Sequence, residues 1–531
     1  MSAAGLLGWH GALPPERLAA ALGRAPWRGP AAAELVAAGG AVLALGAAHT
    51  ARRGPLALAL HGRLDNQAVL AGELGADPAD PAAVAAAAYL RFGDEAAARL
   101  LGDFALLILD DRRGALLAAR DWVGARPLFW GRAGNLVACG SEVKQVLALL
   151  GLPLRPDEDT LAAYARADTP PLEATFVAGV RAVPPNGQVL AAPPAAPLAW
   201  RRPLRFAPVE LALPEAAAAV RGALEVAVAR RTAEARRLGA FVSGGMDSTS
   251  VAATAAALAA RGAGPPLAAA FTTHYPEVPA CDETAYARRV AARWAVPWHP
   301  VVFHPSDLLW GLEDAVVLHD GPPFPGVSVQ TALVDAAAAA KVDVVLTGEG
   351  GDFWQDPERR EIVIALLRHD WRLALHQIGW AARRDRRWGA GSVWTAVREM
   401  ATGRRAESFF EESAARYDLR NLLEVQERQA MRHGLRIEFP FLDRELAELL
   451  VGLPPRARFA TGKRISVYKV ATREAMRGLL PESVRTRESM TFADPLFHAA
   501  LPDTPTDGAP VTELAKRYVE VWRTTLGGLE Y

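Results

Sequence analysis

A glycine-containing segment near the middle of the chain has the residue types of a phosphate-binding loop. It reads Ser243-Gly244-Gly245-Met246-Asp247-Ser248, between an apolar run and an alanine-rich segment with a helical pattern. Glycines let a backbone approach an anion closely, and the N–H groups at a helix start attract it. Ser243 and Ser248 add hydroxyl donors, and Asp247 is the type of ligand that holds Mg²⁺ on bound phosphates. The segment predicts a nucleotide phosphate site, although the lysine-containing Walker pattern is absent.

A second glycine-containing segment has the same position relative to its own apolar run. Thr347-Gly348-Glu349-Gly350-Gly351-Asp352 follows residues 342–346, as the first loop follows residues 238–242. Two carboxylates in a partly dry cleft repel each other unless a cation lies between them. Asp247 and Asp352 are therefore predicted to share one Mg²⁺ on the pyrophosphate part of ATP. Gly348 and Gly350 are predicted to help bind the same nucleotide.

The elements that must position these loops alternate between helix and strand. Helical patterns and apolar runs follow one another at 214–231 (helix), 238–242 (strand), 248–261 (helix), 267–272 (strand), 283–294 (helix), 300–303 (strand) and 342–346 (strand). This rhythm is typical of a doubly wound parallel sheet, where ligands bind at the carboxyl ends of the strands. Both glycine loops lie at such ends. Residues 355–531 are predicted to be mostly helical and to pack over that edge.

Residues 1–205 are predicted to form a separate α+β domain with layered antiparallel sheets. Short apolar runs recur between turns at 41–45, 56–60, 104–109, 115–119 and 136–138, with a helical pattern at 81–92. Recurrent short strands separated by turns are typical of such sheets. The proline-rich stretch 193–208 is predicted to be the linker, so that residues 206–531 form the second domain.

Composition restricts the partners and the compartment. The 531 residues contain 59 Lys plus Arg and 59 Asp plus Glu, so the net charge favours neither nucleic acid nor an acidic membrane as a partner. The only cysteines, Cys139 and Cys281, lack metal-site spacing and fit a reducing cytoplasm. A run of about 20 apolar residues that would span a membrane is absent. A cytoplasmic enzyme is expected.

Further motifs extend the two loops into a family resemblance. They are Gly102-Asp103-Phe104-Ala105, Arg120-Asp121 with Gly124 and Arg126-Pro127-Leu128, Ser141-Glu142-Val143-Lys144, Pro440-Phe441-Leu442-Asp443, and Leu480-Pro481-Glu482 with Val484 and Arg487. The first loop matches the SGGxDS loop of ATP pyrophosphatases, and nearly the whole chain resembles the class B asparagine synthetase superfamily. The resemblance implies an Ntn-type glutamine amidotransferase-like domain followed by an ATP-pyrophosphatase domain. The latter would form amides, releasing AMP and pyrophosphate.

The resemblance also implies roles for individual residues. Aspartates that match Asp247 and Asp352 hold magnesium, and the residues that match Ser243, Gly244, Gly245 and Ser248 bind the pyrophosphate part of ATP. Glu349 is the candidate proton acceptor or orienting group in amide formation. The family lysine two residues after Arg487 is Ser489 here, so Lys469, which matches a different family lysine, is the candidate catalytic cation.

Departures from the family pattern predict an inactive glutaminase. A working glutaminase of this family has cysteine directly after the initiator methionine, where this chain has Ser2. The family's Asn-Gly-Glu segment, which helps hold glutamine, reads His61-Gly62-Arg63. A segment that usually reads Glu-x-Arg is Arg436-Ile437-Glu438, with the charges exchanged. The N-terminal domain is therefore predicted to be a catalytically inactive scaffold.

An amide-forming enzyme that does not use glutamine needs another amine. β-Lactam synthetase closes a ring within a small β-amino acid, and lasso-peptide macrolactam synthetase joins a peptide's N-terminal amine to an Asp or Glu side chain. β-Lactam synthetase has tyrosine where this chain has Glu349, which argues against the β-lactam type. Glu349 resembles the residue of asparagine synthetases and of lasso-peptide macrolactam synthetases. The rival hypotheses are an ammonia-dependent asparagine synthetase or other small-molecule amide ligase, and a non-catalytic relative, which Ser489 suggests.

The predicted partner is a linear core peptide, with a leader peptidase and a leader-binding protein as further candidates. Five tryptophans near the second loop suggest either core packing or an aromatic wall for such a peptide: Trp354, Trp371, Trp380, Trp388 and Trp394. A basic run over residues 383–387 is either a solvated face or a guide for an acidic leader.

Overall fold

Two facing antiparallel sheets form the N-terminal part of the chain in this computed structural model. The structure describes residues 5–28, 34–38, 40–45, 49–192, 197–355, 365–366, 369–375, 378, 394, 398, 417–461, 466–487, 493–502 and 510–526. The strands are β1 (Leu7–His10), β2 (Glu34–Ala38), β3 (Ala41–Leu45), β4 (His49–Arg53), β5 (Leu56–Leu64), β6 (Gly102–Asp110), β7 (Ala115–Arg120), β8 (Phe129–Ala133), β9 (Leu136–Gly140), β10 (Val180–Ala182), β11 (Gly187–Ala191) and β12 (Leu198–Arg201). The helices are α1 (Pro15–Arg24), α2 (Gln67–Leu74), α3 (Pro81–Phe92), α4 (Ala96–Arg99), α5 (Val143–Leu150) and α6 (Glu158–Ala165).

Alternation of apolar side chains along the strands sets the layering of this part. The first sheet has the order β10-β8-β9-β1-β3-β2 and the second β12-β11-β7-β6-β5-β4. In β6, Leu106 and Ile108 pack with helices α2 and α3, whereas Leu107 and Leu109 pack between the sheets. Helix α5 packs through Val146 with the first sheet. The predicted layered α+β arrangement is confirmed as helix, sheet, sheet and helix.

A parallel sheet forms the centre of the C-terminal part. Its strands are β13 (Leu238–Phe241), β14 (Leu267–His274), β15 (Trp298–Val302), β16 (Val344–Leu346) and β17 (Arg436–Glu438), in the order β15-β14-β13-β16-β17. The chain runs outward from β13 through β14 to β15 and then returns to β16 on the other side. The boundary between β13 and β16 is therefore the topological switch point, where doubly wound sheets bind ligands. The predicted doubly wound sheet is confirmed.

Helices cover the parallel sheet and continue beyond it. They are α7 (Leu213–Thr232), α8 (Met246–Ala260), α9 (Thr284–Arg293), α10 (Leu312–His319), α11 (Val327–Ala339), α12 (Gly351–Gln355), α13 (Tyr417–Arg432), α14 (Arg444–Gly452), α15 (Pro455–Arg458), α16 (Val470–Ala475), α17 (Glu482–Arg485), α18 (Asp494–Ala500) and α19 (Pro510–Leu526). A small hairpin joins β18 (Phe459–Thr461) to β19 (Ser466–Tyr468). Among the described residues, no helix combines the length and apolar character that crossing a bilayer needs.

The segment predicted as a linker contributes to both packed parts. Strand β12 pairs with β11 in the second antiparallel sheet. Leu204 and Phe206 are buried in the same apolar cluster as the parallel sheet. These residues of the predicted linker are therefore packed, because apolar side chains between the prolines contact both parts. The division of the chain into domains at residue 205 stays a prediction.

Candidate active site

The first glycine loop lies between strand β13 and helix α8, with its hydroxyl groups held together. The Ser248 hydroxyl accepts a hydrogen bond from the Ser243 backbone N–H at 3.0 Å, and the two hydroxyl oxygens are 2.9 Å apart. Gly245 is the N-cap of α8, and its N–H donates to the Ser243 hydroxyl at 3.2 Å. Gly244 has φ +90°, where a side chain would be strained and its Cβ would meet the Glu283 carbonyl. The loop thus presents backbone and hydroxyl donors at a helix start, as predicted for a phosphate site.

The second glycine loop contacts the first so closely that a side chain at Gly348 or Gly351 would collide with it. A Cβ on Gly348 would lie 2.4 Å from the Ser248 nitrogen, and one on Gly351 would lie 2.2 Å from the Asp247 Cγ. Strands β13 and β16 are hydrogen-bonded neighbours, which brings the two loops to one edge of the sheet. Gly350 has φ +96° and lies against Leu442, and it is not among the residues that line the cavity.

Lys469 lies between the two aspartates. Its Nζ is 2.6 Å from Asp247 Oδ2 and also forms an ion pair with Asp352. Burial raises the pKa of the Asp247 carboxyl. The Lys469 ammonium opposes this increase, and the negative charge of Asp352 adds to it. The same ammonium lowers the pKa of Asp352, whose side chain is exposed. Lys469 has φ +60° at the N-cap of α16, a conformation that lysine rarely adopts. The protein therefore holds the Lys469 ammonium between the two aspartates at a cost in backbone strain.

The donor set of this cluster fits magnesium together with a nucleotide. Among the described residues, no group of three or more His, Cys, Asp or Glu side chains could enclose a metal ion. Mg²⁺ is commonly held by one or two carboxylates, with phosphate oxygens and water completing its octahedron. Asp247 and Asp352 supply the two carboxylates, and Ser243 and Ser248 lie beside them in one cavity of about 340 Å³.

Glu349 faces the same cavity with a perturbed carboxyl group. Burial raises its pKa from 4.5 to about 7, and the nearby Asp352 adds to the increase. Its Oε1 accepts a hydrogen bond from Gln426 Nε2 at 3.3 Å. A carboxyl group with a pKa near neutrality can both hold and release a proton at physiological pH, as a general base must.

The rim of the cavity contains charged and polar residues from outside the two glycine loops. Arg487 pairs with Glu283 at 2.6 Å, and its guanidinium lies 4.2 Å from the Tyr286 ring centroid. Glu283, Arg487, Tyr468, Arg473 and Gln330 line the cavity with the predicted residues. The contact of Gln426 with Glu349 was not predicted, because nothing in the local sequence of Gln426 connects it with a loop 77 residues away.

Arg63 and Glu438, two residues whose charges depart from the family pattern, form an ion pair in the structure. Arg63 contacts Glu438 Oε2 through Nη1 at 2.7 Å and Asp103 Oδ2 through Nη2 at 2.8 Å. Arg126 contacts the other Glu438 oxygen at 3.1 Å. Arg231 contacts Asp103 at 3.2 Å. Arginine at 63 and glutamate at 438 therefore join the two parts of the chain across a largely buried boundary.

Cys139, the cysteine within the N-terminal sheets, is not an alternative nucleophile. It is buried between the sheets, and burial raises the pKa of its thiol to about 12. A thiol in this environment stays protonated and is unreactive.

Of the five tryptophans near the second loop, the structure describes Trp354, Trp371 and Trp394. Trp354 is fully buried, donates to the Phe441 carbonyl at 2.7 Å and stacks on Trp122 at 5.3 Å between ring centroids. Trp371 and Trp394 are exposed. Core packing is therefore correct for Trp354. Ser2, Ser489, Trp380, Trp388 and the basic run at 383–387 lie outside the described residues.

Comparisons with known proteins agree with the two-part architecture. A family profile for asparagine synthase matches residues 219–509, and one for a glutamine amidotransferase domain matches residues 52–196. Asparagine synthetase (glutamine-hydrolyzing) 3 of Bacillus subtilis (strain 168) is 25% identical over 447 residues, 76% of this chain and 69% of the relative. Asparagine synthetase (glutamine-hydrolyzing) 1 of the same strain is 23% identical over 459 residues, 78% of this chain and 71% of the relative. Amidase chyE of Penicillium rubens is 30% identical over 284 residues, 50% of this chain and 41% of that protein.

Proposed function

We propose that this chain, which belongs to the asparagine synthase family, is a lasso-peptide macrolactam synthetase. The chain is an asparagine synthetase-like, ATP-dependent amide ligase. The proposed substrate is a linear core peptide, and the proposed reaction joins its N-terminal amine to an Asp or Glu side chain. The observation that carries this proposal is Arg63, which stands where the family resemblance places a glutamine-binding carboxylate and is paired with Asp103 and Glu438.

In the first proposed step the chain activates a carboxylate. The loop Ser243–Ser248 binds the phosphates of ATP, and Asp247 and Asp352 would hold magnesium, which would neutralise phosphate charge. A substrate carboxylate oxygen attacks the α-phosphorus, the bond from that phosphorus to the bridging oxygen breaks, and pyrophosphate leaves. The product is an acyl-adenylate. The Lys469 ammonium, buried beside both aspartates, adds a positive charge where negative charge is transferred.

In the second proposed step an amine attacks the activated acyl carbon. The new carbon–nitrogen bond forms, the bond from carbon to the AMP oxygen breaks, and the amine proton passes to the Glu349 carboxylate. A pKa of about 7 leaves a large fraction of this group ionised near neutrality. General-base assistance of this kind typically contributes about 10²–10⁴-fold in rate.

A peptide that supplies both the carboxylate and the amine reacts faster, because the two groups are held close together. Arg63 places a cation where glutamine would need a carboxylate, which argues against glutamine as the nitrogen donor. Two ends of one folded peptide held in the same cavity react intramolecularly, which can lower the barrier by roughly 7–11 kcal/mol. A leader peptidase and a leader-binding protein are proposed as partners that deliver such a peptide.

The second candidate is an ammonia-dependent asparagine synthetase. The similar Bacillus proteins are asparagine synthetases by name, although their names state that they hydrolyse glutamine. Glu349 is compatible with it, since the family resemblance places glutamate there in asparagine synthetases as well. A small-molecule ligase of the β-lactam synthetase type is disfavoured by Glu349 in place of tyrosine. A non-catalytic relative is disfavoured by the intact pairing of Asp247, Asp352 and Lys469.

One comparison of substrates distinguishes peptide cyclisation from asparagine formation. The enzyme is incubated with ATP and Mg²⁺, first with linear peptides that carry a free N-terminal amine and one Asp or Glu side chain at successive positions. It is then incubated with aspartate and ammonia. We expect a peptide product lighter by one water, with equal amounts of AMP and pyrophosphate. Asparagine formation without any cyclised peptide would contradict the proposal, and absence of pyrophosphate in every incubation would support the non-catalytic relative.

A further inference from the structure

Helix α13 contacts the candidate active site and the N-terminal part of the chain through consecutive residues. Gln426 reaches the second glycine loop, whereas Glu427 and Arg428 reach the N-terminal part. We propose that Gln426 is a positioning residue for the Glu349 carboxylate, and that the N-terminal part holds α13 in the rotation this requires. This inference rests on the proposed amide-forming step.

The contact between Gln426 and Glu349 fixes one carboxylate oxygen. Gln426 is 1% exposed, and its Nε2 donates to Glu349 Oε1 at 3.3 Å. The Glu349 backbone N–H is held separately by the Thr347 hydroxyl at 3.2 Å. No described residue donates a hydrogen bond to the Gln426 side-chain oxygen, which is also buried. A buried amide with a single directed contact is a feature that packing alone does not explain.

The two residues that follow Gln426 belong to a buried ionic chain. Arg28 binds Glu427 with two hydrogen bonds of 2.6 Å each, and its Nε donates to Glu142 Oε1 at 2.6 Å. Arg428 binds the other Glu142 oxygen at 2.6 Å. All four side chains are at most 4% exposed. The charges alternate as Glu427, Arg28, Glu142 and Arg428, so each carboxylate lies next to an arginine.

Such a chain is better suited to fixing orientation than to adding stability. Removing ions from water is unfavourable, and a buried pair often adds little net stability. Two-point arginine contacts do restrict direction, because the planar guanidinium fits a carboxylate in one orientation. Successive helix residues are about 100° apart around the axis. A rotation of α13 that broke the Arg28 contacts would therefore move Gln426 away from Glu349.

Separate measurement of the two chemical steps tests this role. The probe is the linear peptide that wild-type enzyme cyclises, supplied with ATP and Mg²⁺. Hydroxylamine, a strong nucleophile that needs no general base, captures the acyl-adenylate as a hydroxamate and reports the first step. We expect Gln426→Met to keep hydroxamate formation and the KM for ATP near wild type. The ratio of the cyclisation rate to the rate of hydroxamate formation, measured in parallel incubations, should fall by about 10- to 100-fold, the range for loss of a hydrogen bond to a charged group.

Gln429→Met is the matched control, because Gln429 is also buried on α13 but donates to the Thr331 hydroxyl at 2.7 Å. Its product ratio should equal that of wild type. Glu427→Gln weakens the Arg28 contacts and should lower the ratio in the same direction as Gln426→Met. An unchanged ratio in Gln426→Met, or an equal fall in Gln429→Met, would overturn the positioning role. An unchanged ratio in folded Glu427→Gln would overturn the supporting role of the N-terminal part. Wild-type enzyme without pyrophosphate release would instead contradict the proposed function itself.

Discussion

Replacing Asp247 by asparagine is expected to reduce ATP-dependent pyrophosphate release on the order of 10³-fold, the upper range for loss of one electrostatic contact at a reacting centre. Asp247 is 8% exposed, contacts Lys469 at 2.6 Å and lies against Gly351 of the second loop. Asparagine keeps the shape of the side chain and removes the charge. The variant therefore loses one of the two carboxylates that fit magnesium. It also loses one of the two negative charges that orient Lys469. A coupled pyrophosphate assay with saturating ATP measures the effect.

Asp335→Asn is the control for this substitution. Asp335 lies in the same part of the chain and pairs with His433 at 3.1 Å on the surface. Its pyrophosphate release should stay within about twofold of wild type, since exposed pairs contribute little. Thermal unfolding of both variants verifies that the fold is retained. Normal pyrophosphate release by a folded Asp247→Asn enzyme would remove Asp247 from the nucleotide site.

Replacing Glu349 by glutamine is expected to separate the two chemical steps. The side chain keeps its volume, but it can no longer accept the amine proton. Cyclised product should fall by about 10²–10⁴-fold, the usual contribution of a general base. Hydroxamate formation with hydroxylamine should remain near wild type, because adenylation does not use this carboxylate in the proposed reaction. Product mass and hydroxamate colour are measured in parallel incubations.

Glu313→Gln is a suitable control for the loss of a carboxylate away from this cavity. Glu313 lies in the first turn of α10 and is exposed. It should leave both products unchanged. Equal losses of hydroxamate and cyclised product in Glu349→Gln would place Glu349 in the first step or in folding. Normal cyclisation would remove the proton-transfer assignment.

Local pattern was sufficient to predict the elements that carry the two loops. The apolar run at 238–242 corresponds to β13, and the helical pattern after the first loop corresponds to α8. Adjacency of the loops was also predictable, because both follow strands of one parallel sheet and such ends lie at one edge. The structure places Asp247, Asp352, Ser243, Ser248 and Glu349 around one cavity. Their roles in catalysis stay predictions.

Contacts between residues far apart in sequence were not predictable. Lys469 contacts Asp247, which is 222 residues away in the sequence, and Gln426 contacts Glu349, which is 77 residues away. The periodicity of apolar residues does not predict such pairs. Arg63 and Glu438 were recognised as separate departures, whereas the structure shows that they form one ion pair across 375 residues. Leu204 and Phe206 were assigned to a linker because prolines surround them, although both are buried in the core. Tertiary packing determined these features.

Transfer of oxygen from the acceptor carboxylate to AMP is the most direct test of the proposed chemistry. The peptide substrate is synthesised with heavy oxygen in its Asp or Glu side chain and incubated with enzyme, ATP and Mg²⁺. Attack of that carboxylate on the α-phosphorus, followed by amide formation, must leave one labelled oxygen in AMP. We predict AMP carrying one heavy oxygen in equal amount to cyclised peptide. Unlabelled AMP formed together with cyclised peptide, or ADP with the label in inorganic phosphate, would contradict activation through an acyl-adenylate.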